Sequence, residues 1–151
     1  VQGITVSSAP ASDAYLTVEV VPGPAAVLAI VQGPSGIVAG STLSTLVVEV
    51  RDAYGNLIKT AFPTVEVAGD DALTTGVIGG SLGVVADSGV ATFSNLSLTT
   101  AGPWRLIVSA AGLSPDTSAL FTVSPAAALA LEISAGDGQS GPVGTSLANP
   151  L

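Results

Sequence analysis

Cysteine, methionine and histidine are all absent from this 151-residue chain. Without cysteine there is no disulfide framework, no thiolate nucleophile and no cysteine-based metal site. Without histidine the usual activator of a catalytic hydroxyl is also missing, and a serine–lysine arrangement would depend on Lys59 alone. We therefore expect no enzymatic activity from these residues. Cations are scarce too: Arg51, Lys59 and Arg105 stand against eleven carboxylates, for a net charge of −8. Binding nucleic acid requires a dense cationic face that displaces counterions, and these dispersed side chains do not provide one. The same scarcity sets anionic membrane surfaces aside.

Long hydrophobic runs are missing as well. Charged residues make up only 9% of the chain, against about 25% in ordinary soluble domains, and mean hydropathy is +0.69. Yet every apolar run is short, with Ala126 to Leu131 ending at Glu132, far below the ~20 residues that span a bilayer. The apolar residues are small or β-branched and lie in short runs between Gly, Pro, Ser and Asp, the composition of a soluble all-β protein. The chain starts at Val1 and carries no methionine, so we expect a cleaved or partial polypeptide whose true length is greater. Few trypsin-like cleavage points and no cysteine fit an extracellular or cell-surface protein.

What is present is a repeat. Pro24-Ala25-Ala26-Val27-Leu28-Ala29-Ile30 answers to Pro125-Ala126-Ala127-Ala128-Leu129-Ala130-Leu131, and Gly40-Ser41-Thr42-Leu43 answers to Gly144-Thr145-Ser146-Leu147. Ile4-Thr5-Val6-Ser7 matches Leu106-Ile107-Val108-Ser109, and Leu16-Thr17-Val18 matches Phe121-Thr122-Val123. A fixed period is the mark of a modular array. The expected organisation is the closing strands of one repeat over residues 1–25, a complete repeat over 26–125, and the opening of another over 126–151.

Within the complete repeat, alternation and turn signals place strands at Ala26 to Val31, Leu43 to Arg51, Thr64 to Ala68, Ser81 to Ala86, Val90 to Leu98, Trp104 to Ala110 and Ala119 to Val123. Seven strands in about one hundred residues predict an immunoglobulin-like antiparallel β-sandwich. Leu46, Val48 and Val50 share one face, with Val47, Glu49 and Arg51 on the other. Ala91 and Phe93 disagree in parity with Leu96 and Leu98, which calls for a bulge near Ser94 or Asn95. The expected core is Leu46, Val48, Val50, Val65, Val67, Phe93, Leu96, Trp104, Leu106, Val108 and Phe121.

The runs Val48-Glu49-Val50-Arg51-Asp52-Ala53-Tyr54-Gly55-Asn56, Asp87-Ser88-Gly89-Val90-Ala91-Thr92-Phe93 and Ala101-Gly102-Pro103-Trp104-Arg105-Leu106 resemble bacterial immunoglobulin-like repeats of the invasin and intimin type. Those repeats carry a V-x-D-x-x-G-N strand and turn, a G-x-A-x-F strand and an A-G-x-aromatic-x-L strand. One departure is Leu57, where the family usually has Pro after the Asn. The resemblance implies a rod-building or adhesive module at a bacterial surface and carries over no catalytic residues.

Asp52, Gly55 and Asn56 suit a tight turn fastened by the aspartate. In an immunoglobulin-like sandwich the loops after the second, fourth and sixth strands lie at the pole where the chain arrives, so Asp52, Asn56, Asp87 and Asp116 would converge there. Calcium favours several oxygen ligands at such a place, and these four residues are its candidate ligands. No other cofactor is expected. Asp70-Asp71 reads as a solvated acidic turn at the opposite pole, close to Asp137 of the following repeat. Trp104 reads as core rather than as a sugar-stacking platform, and Asn95-Leu96-Ser97 matches a glycosylation sequon.

Three functions compete. A long bacterial fibre, stalk or adhesin built of stacked repeats comes first, with neighbouring repeats as partners and the short joint Ser124-Pro125 limiting bending. The second is a non-covalent filament completed by strands from identical chains. The third is a module binding glycans or a host receptor, for which Tyr15 and Tyr54 are the aromatic candidates.

Overall fold

Short β-branched stretches, each ended by glycine, proline or aspartate, become strands in the computed structural model, which describes residues 21–129, 138 and 140–145. Most of the expected flanking fragments 1–25 and 126–151 lies outside these residues, as do Tyr15 and Asp137. In chain order the strands are β1 (Ala25–Gln32), β2 (Ile37–Val38), β3 (Leu46–Asp52), β4 (Thr64–Gly69), β5 (Ile78–Gly79), β6 (Gly83–Val85), β7 (Val90–Phe93), β8 (Ser97–Leu98), β9 (Gly102–Trp104), β10 (Leu106–Ser109), β11 (Asp116–Thr117) and β12 (Phe121–Ser124). No helix occurs among the described residues.

The strands form two facing layers. One carries β1-β3-β7, extended by β8 and its partner β5, with Leu43 N–H donating to the Leu96 carbonyl at 2.8 Å to hold the extension. The other combines β11-β10-β4-β6 with β2-β12-β9, because β9 and β10 are two halves of one strand, and β11 and β12 two halves of the next. Pairing between the named strands is antiparallel except between β2 and β12, where Val123 lies beside Ile37 in parallel register, and a single parallel bridge joins Val27 to Ser114. The first strand thus begins in one sheet and ends in the other. The fold is an all-β sandwich of the expected class.

Each expected strand has an observed counterpart, and the differences have local causes. The Val90 to Leu98 stretch is broken between Phe93 and Ser97, and the slip turns Phe93, Leu96 and Leu98 all inward, as the predicted bulge requires. The Trp104 to Ala110 stretch divides at Arg105 because β9 pairs with β12 while β10 pairs with β4 and β11. At that division Leu106 N–H donates to Ser118 Oγ at 3.0 Å, and Ser118 N–H donates to the Leu106 carbonyl at 2.8 Å. β2 and β5, of two residues each, were not expected; two residues are too few to carry a period.

All eleven residues expected in the core are buried, together with Leu28, Leu43, Ala86, Ala91, Leu98 and Val123. Trp104 is the largest of them. Its indole N–H, which would be costly to bury unpaired, donates to the Thr100 carbonyl at 2.9 Å.

The sequence offers little of the usual edge protection, and the fold compensates by geometry. β2, β5 and β6 are short edge strands. The longer β1 is covered on its outer side: Leu28 N–H donates to the Ser114 carbonyl at 3.0 Å, Ser114 N–H to the Ala26 carbonyl at 2.9 Å, and Ile30 N–H to Asp116 Oδ2 at 2.8 Å.

Register also fixes the two ends. Ala25 pairs with Asp52 at the end of β3, so the chain arrives at the pole carrying the loop after β3; we call this pole proximal. Ser124 ends β12 beside Val38, at the opposite, distal pole.

Candidate functional site

The proximal pole gathers the loop after β3, the turn before β7, the loop after β10 and the arriving segment Val21–Pro24. The alternation that buries Leu46, Val48 and Val50 also carries Asp52 inward, leaving it only 1% exposed. A carboxylate in that position is tolerated because it is fully bonded. Oδ1 accepts Tyr54 N–H and Asn56 N–H, each at 2.9 Å, and Oδ2 accepts Asn56 Nδ2 at 2.9 Å and Gly23 N–H at 2.8 Å. The Asn56 side chain and the Gly23 amide together outweigh burial and hold the Asp52 pKa at about 2, below its ordinary 3.8. Asp52 N–H donates to the Asn56 carbonyl at 3.0 Å, and Ile58 N–H returns to the Val50 carbonyl at 3.0 Å. The expected turn fastener is therefore in place, and it also reaches the arriving chain.

The remaining candidate ligands have other work. Asp87 is exposed and accepts the Ser88 hydroxyl at 3.1 Å, in a two-residue hairpin closed by Asp87–Val90 bonds in both directions. Asp116 accepts Ile30 N–H and Thr117 N–H, each at 2.8 Å. The structure joins Asp52 to Asn56 and engages Asp87 and Asp116 separately. Among the described residues no group of three or more Asp, Glu, His or Cys side chains is placed to hold a metal ion. The four acceptor sites of a carboxylate are all occupied at Asp52 by N–H donors.

Elsewhere, Asp70 accepts Ala72 N–H at 3.2 Å, and Asp71 is exposed, as a solvated turn should be. Asn95 exchanges bonds with Ser81, through Oδ1 at 3.0 Å and Nδ2 at 3.1 Å, so its amide is already engaged, and Leu96 of the sequon is buried. Tyr54 is 89% exposed. Arg51 pairs with Glu49 on the same strand face at 2.8 Å.

Sequence reasoning missed the part that Gly23 plays. The signal was available: Pro22 and Pro24 flank it and restrict the backbone of a segment that has to take one path. Val21–Gly23 and Leu57–Thr60 form the two sides of an open groove of about 460 Å³, with Lys59 at its side.

No family model matches the sequence, and no curated protein sequence matches it. Among solved structures, a β-glycosidase from Bacteroides vulgatus is similar over 68% of this chain and 14% of its own, at 16% identity and a TM-score of 0.53. A β-glucuronidase from Parabacteroides merdae is similar over 68% of this chain and 13% of its own, at 15% identity and a TM-score of 0.49. The chain thus spans a small part of either structure. The similarity to the first is one of fold, a β-sandwich of general immunoglobulin-like type.

Proposed function

We propose that this sandwich is a non-catalytic structural module of the invasin and intimin type, one link in an extracellular bacterial fibre, stalk or adhesin. The observation that carries this reading is the placement of the two joints. The chain arrives beside Asp52 at one pole and leaves from Ser124 at the other, so successive modules extend end to end rather than folding back on one another. The repeat of Pro24-Ala25-Ala26 at Pro125-Ala126-Ala127 supplies the series. The partners are neighbouring repeats of the same chain.

Small-angle scattering on chains carrying one, two and three repeats tests this directly. Residues 25 to 38 run from pole to pole, so each added repeat should lengthen the particle by roughly 40 Å at ~3.3 Å per residue. A maximum dimension that stays nearly constant, with the radius of gyration growing as in a compact globule, would overturn the reading.

A further inference from the structure

Trp104 is covered at its rim by a segment that buries no side chain of its own. Residues 71–77, between β4 and β5, are exposed or half-buried throughout, and Leu73 and Val77 are exposed apolar residues among them. The segment reaches the sandwich through a glycine. A Cβ added at Gly76 would stand 3.1 Å from Trp104 Cη2 and 2.6 Å from Thr100 Oγ1. The bare backbone of Gly76 therefore lies across the indole rim, beside the residue whose carbonyl accepts the indole N–H. One side-chain bond clasps it there: Thr74 Oγ1 donates to the Pro103 carbonyl at 2.6 Å. Among the described residues this is the only hydrogen bond from 71–77 to any part of the chain beyond Asp70. Its acceptor lies on β9, which pairs with β12 on one side only and leaves its other edge to this segment.

We propose that residues 71–77 form a strap that lifts from the distal pole while the sandwich stays folded, baring the rim of Trp104 and the Pro103 carbonyl. Lifting it takes no side chain out of the core and breaks one hydrogen bond to the body. Local opening draws on regions of this kind, with few buried apolar contacts. Both ends are built to turn. At one, Asp70 N–H is fixed to the Arg105 carbonyl at 3.0 Å while the Asp70 carbonyl accepts Leu73 N–H at 3.0 Å; at the other, Gly79-Gly80 carries the left-handed φ of +101 at Gly80. The strap goes beyond the modular rod, since it gives the distal pole two states whatever is joined there. Val77 is 76% exposed on it, so a body seated on that pole presses on the strap and holds it closed.

Hydrogen exchange at the single indole N–H of the intact 151-residue chain reads the strap. Val50 N–H, which donates to the Gly89 carbonyl at 2.8 Å from the central strand β3, reads global unfolding. The indole should be protected at least about tenfold less than Val50 N–H, and its exchange should stay flat in low urea while that of Val50 rises, because a local opening exposes little surface. Thr74→Val removes the clasp and keeps the side-chain shape, so indole exchange should quicken by roughly 2- to 12-fold, the worth of one hydrogen bond. A bridge tests the converse. An added Cβ at Gly76 stands 3.0 Å from Thr100 Cβ, about half an ångström short of the usual separation in a disulfide, and the chain has no other cysteine. In Gly76→Cys combined with Thr100→Cys, oxidation should raise indole protection to that of Val50 N–H and reduction should release it. Protection of Val50 N–H in each variant reports whether the sandwich is folded. An indole that tracks Val50 N–H in protection and urea slope in the unmodified chain, or that neither Thr74→Val nor the closed bridge moves, would overturn the strap.

Discussion

The carboxylate of Asp116 accepts the backbone N–H of Ile30 at 2.8 Å across 86 residues of sequence. This bond closes the outer edge of β1 onto the last strand, in a chain with few charged side chains to guard that edge. Asp116→Ala leaves the Ile30 donor without its partner. A hydrogen bond to a charged acceptor contributes about 1.5–3 kcal/mol, so urea unfolding should show a loss in that range. Association at high concentration should rise as well, because an open strand edge templates pairing. An unchanged urea midpoint would show that β1 is held without this bond.

Two glycines with similar backbones separate strain from collision. Gly89 has φ +79, and a Cβ built there falls 2.3 Å from the Ile58 carbonyl oxygen; Gly112 has φ +74 with nothing within 4 Å. Gly112→Ala should therefore cost only the left-handed backbone penalty, roughly 1 kcal/mol. Gly89→Ala adds a backbone collision and should cost at least ~2 kcal/mol more, since strained positions of this kind are held only by their surroundings. Equal losses in thermal unfolding would mean that the turn before β7 is not tucked beneath Ile58.

Much of this architecture was legible because burial in a strand follows a period of two. Leu46, Val48 and Val50 announced one inner face and Trp104, Leu106 and Val108 another, and the parity conflict between Phe93 and Leu96 announced its own bulge. The same period carried Asp52 inward, but polarity in the sequence concealed this: a residue read as part of a turn is also the end of a core-facing row. The contact of Asp52 with Gly23 spans 29 residues, and no local pattern encodes a contact of that range. For the same reason the switch of the first strand to pair with β12 was not legible, since Ile37 and Val38 form a strand only because β12 lies beside them. The grouping of Asp52, Asn56, Asp87 and Asp116 was inferred from loop order, which assigns loops to a pole but does not say where their side chains bond.

Trp104 tests the packing of the distal half. Its indole lies against two glycines: an added Cβ at Gly69 would stand 3.0 Å from Cζ3, and one at Gly76 would stand 3.1 Å from Cη2. Trp104→Ala should cost about 3–5 kcal/mol through lost burial and the cavity left behind. Trp104→Phe keeps most of the apolar contact but leaves the Thr100 carbonyl without its donor, a loss of roughly 1 kcal/mol or more. The intrinsic fluorescence of the native chain should be blue-shifted and resistant to iodide. Ready quenching would place the ring in solvent and contradict the core described above.

Acid unfolding tests the Asp52 cluster, and the sign follows from linkage. The Asn56 side chain and the Gly23 amide lower the folded pKa to about 2 from an ordinary 3.8, so the unfolded chain takes up this proton at a higher pH than the folded one. The stabilisation is complete above about pH 4 and is lost as the pH falls through the folded value near 2. Asp52→Asn removes that titration. The variant should be less stable than the native chain at neutral pH, and the gap between the two should narrow as the pH drops from about 4 to about 2, as measured by urea unfolding at each pH. A gap that stays constant across this window would show that the Asp52 carboxylate is not preferentially ionised by its N–H donors, and would remove the electrostatic part of its hold on Gly23.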